Sequence, residues 1–138
     1  MVLRQLINEQ AKEENIQKLK MLVEDFKANR DKYKSLSEAD IETKLVEELF
    51  IGVLGWSKND FEKRPNVRRG DKRGIADYAF KIGEKIVFFL EVKKVGVPLD
   101  SEADKQVVSY ALSRKNVSFA ISTNFEQMKI FCVEQDKA

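Results

Sequence analysis

The chain reads as an α/β protein, a mixed central β-sheet flanked by helices on both faces, preceded by an additional amino-terminal helical segment. Three observations predict this. The patterns follow the order helix, helix, hairpin, helix, strand, strand, which suits a sheet with helices packed against it. The run Ile86-Val87-Phe88-Phe89-Leu90 is β-branched, aromatic or bulky throughout, as in a strand covered on both sides. At 138 residues, with 43% hydrophobic and 35% charged, the chain has the size and composition of a single ordinary core. We divide it into a helical extension over 1–35 and a main domain over 36–138.

Taken in order, Leu3, Leu6, Ile7, Ile16, Leu19, Leu22, Val23 and Phe26 recur at helical spacing between Val2 and about Tyr33, with a break expected near Glu13 to Asn15. This apolar stripe should cover the domain's own flank, with a second subunit or a neighbouring domain as the other candidate. Ser37, with Glu38 and Asp40 behind it, marks a helix start, and the helix should run through Ile41 to about Leu54 and stop at Gly55. On a helical wheel Leu45, Val46, Leu49, Phe50, Val53 and Leu54 share one face, and Glu42 falls within that arc while Glu47 and Glu48 do not. A carboxylate aimed inward needs a partner, a wet cavity or a place in the first turn near water.

A polar connection spans Ser57 to Gly74, with a short strand expected near Phe61 to Val67. A hairpin follows, Ile75 to Lys81 and Ile86 to Lys93 about a turn at Gly83-Glu84-Lys85. A three-residue turn pairs Ile82 with Ile86 and so Asp77 with Glu91, whereas a turn one residue shorter or longer puts Asp77 out of step. Beyond Gly96 and Pro98, Asp100 or Ser101 caps a helix to about Arg114 whose apolar members are Ala103, Val107, Val108, Tyr110 and Ala111. Gln106 and Tyr110, four apart, are neighbours on its surface. Strands at Val117 to Ser122 and Met128 to Val133 complete the pattern.

Composition narrows the chemistry. There is no histidine, which removes Ser-His-Asp and Cys-His catalysis, imidazole zinc sites and histidine-based nucleases; a metal here would have oxygen ligands. The single cysteine, Cys132, sits in an apolar run and is expected to be a buried small hydrophobe. No apolar stretch approaches the roughly 18 to 20 residues that cross a bilayer. The start turns polar within a few residues, unlike a signal peptide, so a cytoplasmic protein without a membrane partner is expected. Net charge is only +2, yet Lys63, Arg64, Arg68, Arg69, Lys72 and Arg73 face a single Asp71 over one short segment. Such a cluster is either a solvated loop or a field that holds phosphates.

Glu91 and Lys93 stand two apart at the end of the apolar strand and should point to the same side. An acid two before a lysine also occurs at Asp25-Phe26-Lys27 and Glu42-Thr43-Lys44, so the pair alone carries little. Its distinction is the third charge delivered by Asp77. If Glu42, Asp77 and Glu91 converge, two carboxylates at about 4 Å repel by roughly 4 kcal/mol in an effective dielectric near 20. Partial protonation or a hard divalent cation relieves that repulsion. Magnesium, with manganese as a substitute, takes one or two carboxylates and fills its shell with water and phosphate oxygens. Lys93 beside it would hold a phosphate or orient and acidify the attacking water.

These residues resemble a known family. Ile75-Ala76-Asp77 with Phe89-Leu90-Glu91-Val92-Lys93 is similar to the PD-(D/E)XK nuclease motif, with Glu42 as the upstream helical acid. Leu36-Ser37-Glu38-Ala39-Asp40, Leu54-Gly55-Trp56, Gln106-Val107-Val108-Ser109-Tyr110 and Ile121-Ser122-Thr123-Asn124 extend the resemblance to the amino-terminal nuclease domain of type I and related fused restriction-modification enzymes. It spans about Leu36 to Val133 and leaves the first helix unmatched. The resemblance implies a restriction-endonuclease-like fold and a magnesium-dependent endonuclease acting on double-stranded DNA. It also implies that Asp77, Glu91 and Glu42 bind the metal, that Lys93 assists the water, and that Gln106 and Tyr110 form the accompanying Gln-x-x-x-Tyr element. Ala76 stands where the family has proline, and Glu38 and Glu47 lie near enough to compete with Glu42 for the helical acid.

No Gly-x-x-x-x-Gly-Lys-Ser/Thr loop is present and no methyl-donor pocket is recognisable, so motor, methyltransferase or specificity functions would belong to other domains or subunits of a larger enzyme. Two other readings compete. One is a non-catalytic nucleic-acid-binding or assembly module using the Lys63 to Arg73 segment, although three carboxylates facing a polyanion would not help a pure binder. The other is an interaction domain built on the amino-terminal helix.

Overall fold

The computed structural model describes residues 2–69 and 72–133, and for residues 2–8, 66, 68, 69, 72 and 73 the description stops at the backbone. It is an α/β structure with a five-stranded mixed sheet, and it falls into two compact units, Met1–Trp56 and Ser57–Ala138.

The first unit is helical. Helix α1 spans Val2–Ala28 without the expected break at Glu13 to Asn15, because the charged residues there interrupt the apolar stripe and not the backbone ladder. The interruption falls instead at Asn29, whose side-chain amide turns back onto the Asp25 carbonyl at 3.0 Å, and a short α2 follows over Arg30–Lys34. Ser37 caps α3, Glu38–Ile41, by accepting from the Asp40 N–H at 3.2 Å, as its sequence predicts.

Beyond Ile41 the backbone widens into two π-helical stretches, Glu42–Val46 and Glu48–Val53. Gly55, at φ 85°, follows their end. The second stretch packs against α1. Ile41, Leu45, Val46, Phe50 and Val53 are buried, and so is Glu42. Leu54 departs from the wheel and is 55% exposed, since wider turns rotate later residues away from positions spaced for an α-helix.

In the second unit a 3₁₀ turn at Lys58–Asp60, closed by a reciprocal Ser57 and Asp60 capping box, leads into β1, Phe61–Lys63. The single strand expected near Phe61 to Val67 is in fact two. Arg64 adopts φ 55° just before Pro65, ending β1, and β2, Asn66–Arg69, pairs with β3, Lys72–Ile75, in a separate two-stranded sheet. The expected strand from Ile75 to Lys81 is likewise divided: Asp77 lies in a bend, and β4 runs Tyr78–Ile82.

Strands β4 and β5, Lys85–Val92, form the main hairpin. Its turn is one residue shorter than expected, because Ile82 pairs with Lys85 around Gly83-Glu84. Gly83 at φ 65° supplies the left-handed conformation that tight hairpin turns use. A bulge then absorbs Val87, so that Phe80 pairs with Phe88 and Tyr78 with Leu90.

Helix α4, Ser101–Leu112, is capped by Asp100 and crosses from β5 to β6, Phe119–Thr123, which runs parallel to β5. Strand β7, Met128–Cys132, closes the order β1-β4-β5-β6-β7. The penultimate strand starts two residues later than expected, because the Val117 N–H still closes a turn onto Arg114.

Helix α4 seals one sheet face: Ala79, Phe89 and Ala120 form a common core with Val67, Val107, Tyr110 and Ala111. Burying one such large side chain contributes roughly 1.5–3 kcal/mol. The opposite face carries a ladder of rings, Phe61, Tyr78, Phe80, Phe88 and Phe119, with Phe80 stacked on Phe88 at 4.6 Å between centroids. Cys132 corrects its expected burial. On edge strand β7 alternation turns Phe131 toward the α4 core and leaves Met128, Ile130 and Cys132 exposed on the other side.

Candidate active site

Strand β5 carries its alternation past the core. Phe89 faces α4, and by period two Glu91 and Lys93 follow on the same side, where the strand leaves the apolar layer. The Lys93 N–H continues the pairing with β6 by donating to the Thr123 carbonyl at 2.8 Å. From the opposite direction, the Tyr78 to Leu90 pairing brings Asp77, one residue earlier, level with Glu91.

Asp77 is held at both oxygens. Its Oδ2 accepts from the Val92 N–H at 2.7 Å and its Oδ1 from Arg64 Nη1 at 2.9 Å. The Arg64 N–H also donates to the Asp77 carbonyl at 2.9 Å, so one residue grips both the main chain and the side chain of the aspartate.

Glu91 is 5% exposed. Burial pushes its carboxyl up to about 8, assisted by the Asp77 charge and by a carboxyl-to-carboxyl hydrogen bond with Asp77, while the Lys93 ammonium pulls in the other direction. The two acids that the sequence pairs thus meet. Among the described residues Glu91 Oε1 is buried with no hydrogen-bond partner. A buried carboxyl that keeps its proton beside a second carboxylate is a donor set suited to a hard cation, which would replace that proton.

Lys93 and Gln106 line a cleft of about 520 Å³ at the start of α4, together with Lys105, Ser109, Asp100 and Glu102. Gln106 Nε2 donates to the Tyr110 hydroxyl at 2.6 Å, and that hydroxyl reaches the Ile75 carbonyl at 3.3 Å. Tyr110 is fully buried. It links α4 to the strand preceding Asp77 and orients Gln106, so of this pair Gln106 is the one that lines the cleft.

Glu42 is buried as its wheel position predicts, and it belongs to the first unit, whereas Asp77, Glu91 and Lys93 belong to the second. Among the described residues no group of three or more acidic, cysteine or histidine side chains is gathered as a metal site, so the carboxylates brought together here are a pair. Of the cationic segment, Lys63 and Arg64 are described: Lys63 Nζ lies 5.4 Å from the centre of the Tyr78 ring, and Arg64 holds Asp77. The side chains of Arg68, Arg69, Lys72 and Arg73 lie outside the described residues, as does Asp71; the backbone of the four basic residues forms β2 and β3.

Two features escaped the sequence reading. The pairing of Arg64 with Asp77 joins residues thirteen apart across a strand end. Ser122 lies beside Glu91 in the parallel β5 and β6 register, on the α4 face. Its signal was the alternation through Ala120, visible only once β6 is known to neighbour β5.

Comparison with known protein families, with curated proteins and with solved structures gives no match. No described helix is long and apolar enough to cross a membrane.

Proposed function

We propose that the chain is a magnesium-dependent endonuclease domain that hydrolyses phosphodiester bonds of double-stranded DNA, within a larger cytoplasmic restriction-modification enzyme whose motor, methyltransferase or specificity parts lie elsewhere. The observation that carries the reading is the meeting of Asp77 and Glu91 at the strand end that also presents Lys93 to an open cleft. On this reading the fold is restriction-endonuclease-like, and Glu42 corresponds to the upstream helical acid of that family.

Asp77 and Glu91 would hold the metal ion, which when bound supplies positive charge for the phosphate oxygens and acidifies a water. The Val92 N–H keeps the Asp77 carboxylate aimed, and the core under Phe89 fixes the Glu91 backbone. Lys93 holds a non-bridging phosphate oxygen or the incoming water, and Gln106, oriented by Tyr110, offers its carbonyl oxygen to that water's proton. Arg64 and Lys63 stand at the flank, where a DNA backbone would pass.

Cleavage of supercoiled plasmid with magnesium or manganese, by the wild type, Asp77→Ala and Lys93→Ala, tests the proposal. Loss of about 10²-fold or more in both variants, with DNA binding retained, is expected. Equal DNA binding by all three without cleavage under either metal would establish the non-catalytic binding module in its place.

A further inference from the structure

Across the α4 face a polar row crosses the sheet immediately beyond the apolar core. Asp77 is level with Glu91, Glu91 pairs with Ser122, and Ser122 pairs with Lys129. One step back along the same strands the row is Ala79, Phe89, Ala120 and Phe131, all in the core or packed against it. Lys129 is spoken for, since its ammonium donates to the Asp104 carboxylate and to the Leu99 carbonyl, each at 2.9 Å. Ser122 is not: it is fully buried, and among the described residues its hydroxyl has no partner. Its neighbour in register, Glu91, has an unpartnered buried oxygen of its own, Oε1.

A buried hydroxyl without an acceptor beside a buried carboxylate oxygen without a donor is costly for both groups. The two residues are paired neighbours on one face of the sheet, which places the Ser122 hydroxyl to turn toward the Glu91 carboxyl. A cation held by Glu91 sharpens the need, for the oxygen turned away from the ion lies in a region that water does not reach.

We propose that Ser122 is a positioning residue for Glu91, its hydroxyl donating to the buried carboxylate oxygen and so orienting the other toward the cation. The inference rests on the metal-dependent nuclease reading. Ser122 touches neither substrate nor metal in this role; it acts through the carboxylate, as outer partners of metal ligands do.

Manganese binding measured calorimetrically on the wild type, Ser122→Ala and Ser122→Thr tests it, with thermal melts establishing that each is folded. Expected are an affinity about 10-fold or more weaker in Ser122→Ala, near wild-type affinity in Ser122→Thr, and unchanged metal-free DNA binding in both. Wild-type affinity in Ser122→Ala overturns the role. Equal weakening in both variants also overturns it, assigning the effect to packing at a filled position. No manganese binding by the wild type would instead remove the nuclease reading on which the inference stands, a failure distinct from the other two.

Discussion

Val92 donates its backbone N–H to the side chain of Asp77 at 2.7 Å, tying the end of one strand to the bend that precedes its partner. That bond fixes where the aspartate stands relative to Glu91. It holds in spite of a hairpin turn one residue shorter than the pairing of Asp77 with Glu91 would by itself require. The bulge at Val87 takes up the difference, so turn and bulge are compensating halves of one register.

Deleting Val87 should therefore be worse for the site than for the fold. The shortened hairpin can still pair, but Asp77 moves out of step with Glu91. Manganese binding is expected to be lost while far-ultraviolet circular dichroism retains its strand signal; retained binding would show that the bulge is dispensable.

Stability should fall as pH rises across the range set by Glu91. Its carboxyl keeps a proton up to about 8 in the folded chain, against an ordinary value of 4.5. Between those limits the folded state binds more protons than the unfolded state, so unfolding free energy decreases with pH, its contribution being full below the lower value and lost through the upper. Glu91→Gln cannot ionise and should flatten this slope, becoming the more stable protein above about pH 8. Urea midpoints in buffers spanning the range check it, and parallel slopes in both proteins would refute the assignment to Glu91.

Cation binding should release a proton near neutral pH, because the ion replaces the one that Glu91 keeps. Titration of manganese in buffers of different ionisation enthalpy reads that release directly. Asp77→Asn should abolish it.

Arg64→Ala should move two affinities in opposite directions. Removing the guanidinium from Asp77 Oδ1 frees a carboxylate oxygen and a positive charge's worth of repulsion, so manganese should bind a few-fold more tightly, while DNA should bind more weakly. Arg64 is 47% exposed, so stability should change by less than about 1 kcal/mol. A fall in both affinities would mean that Arg64 serves only to hold Asp77 in place.

Gly74→Ala should destabilise the protein by about 1–3 kcal/mol through overpacking. A Cβ at Gly74 would meet the Tyr110 hydroxyl at 2.6 Å and its ring at 2.7 Å. Since Tyr110 is held by α4 on one side and by Ile75 on the other, it has little room to retreat. Chemical denaturation measures the loss.

Much of this was legible in the sequence because it is local. The Ser37 cap, the stop at Gly55, the burial of Glu42, the α4 start at Asp100 and the apolar run of β5 each follow from a few consecutive residues and a period of 3.6 or 2. So did the pairing of Glu91 with Lys93 on one side of a strand, which alternation alone dictates.

Tertiary structure decided the rest. Whether Ile75 to Lys81 was one strand or a strand, a bend and another strand depended on Arg64 and Pro65 pairing with Ala76 and Asp77 from across the sheet, a contact no local pattern encodes. The exposure of Cys132 depended on β7 lying at an edge, and the place of Ser122 beside Glu91 depended on a parallel crossover through α4. The reason is common to all three: periodicity says which residues share a face, but only the order and register of strands says which faces are covered and which residues meet.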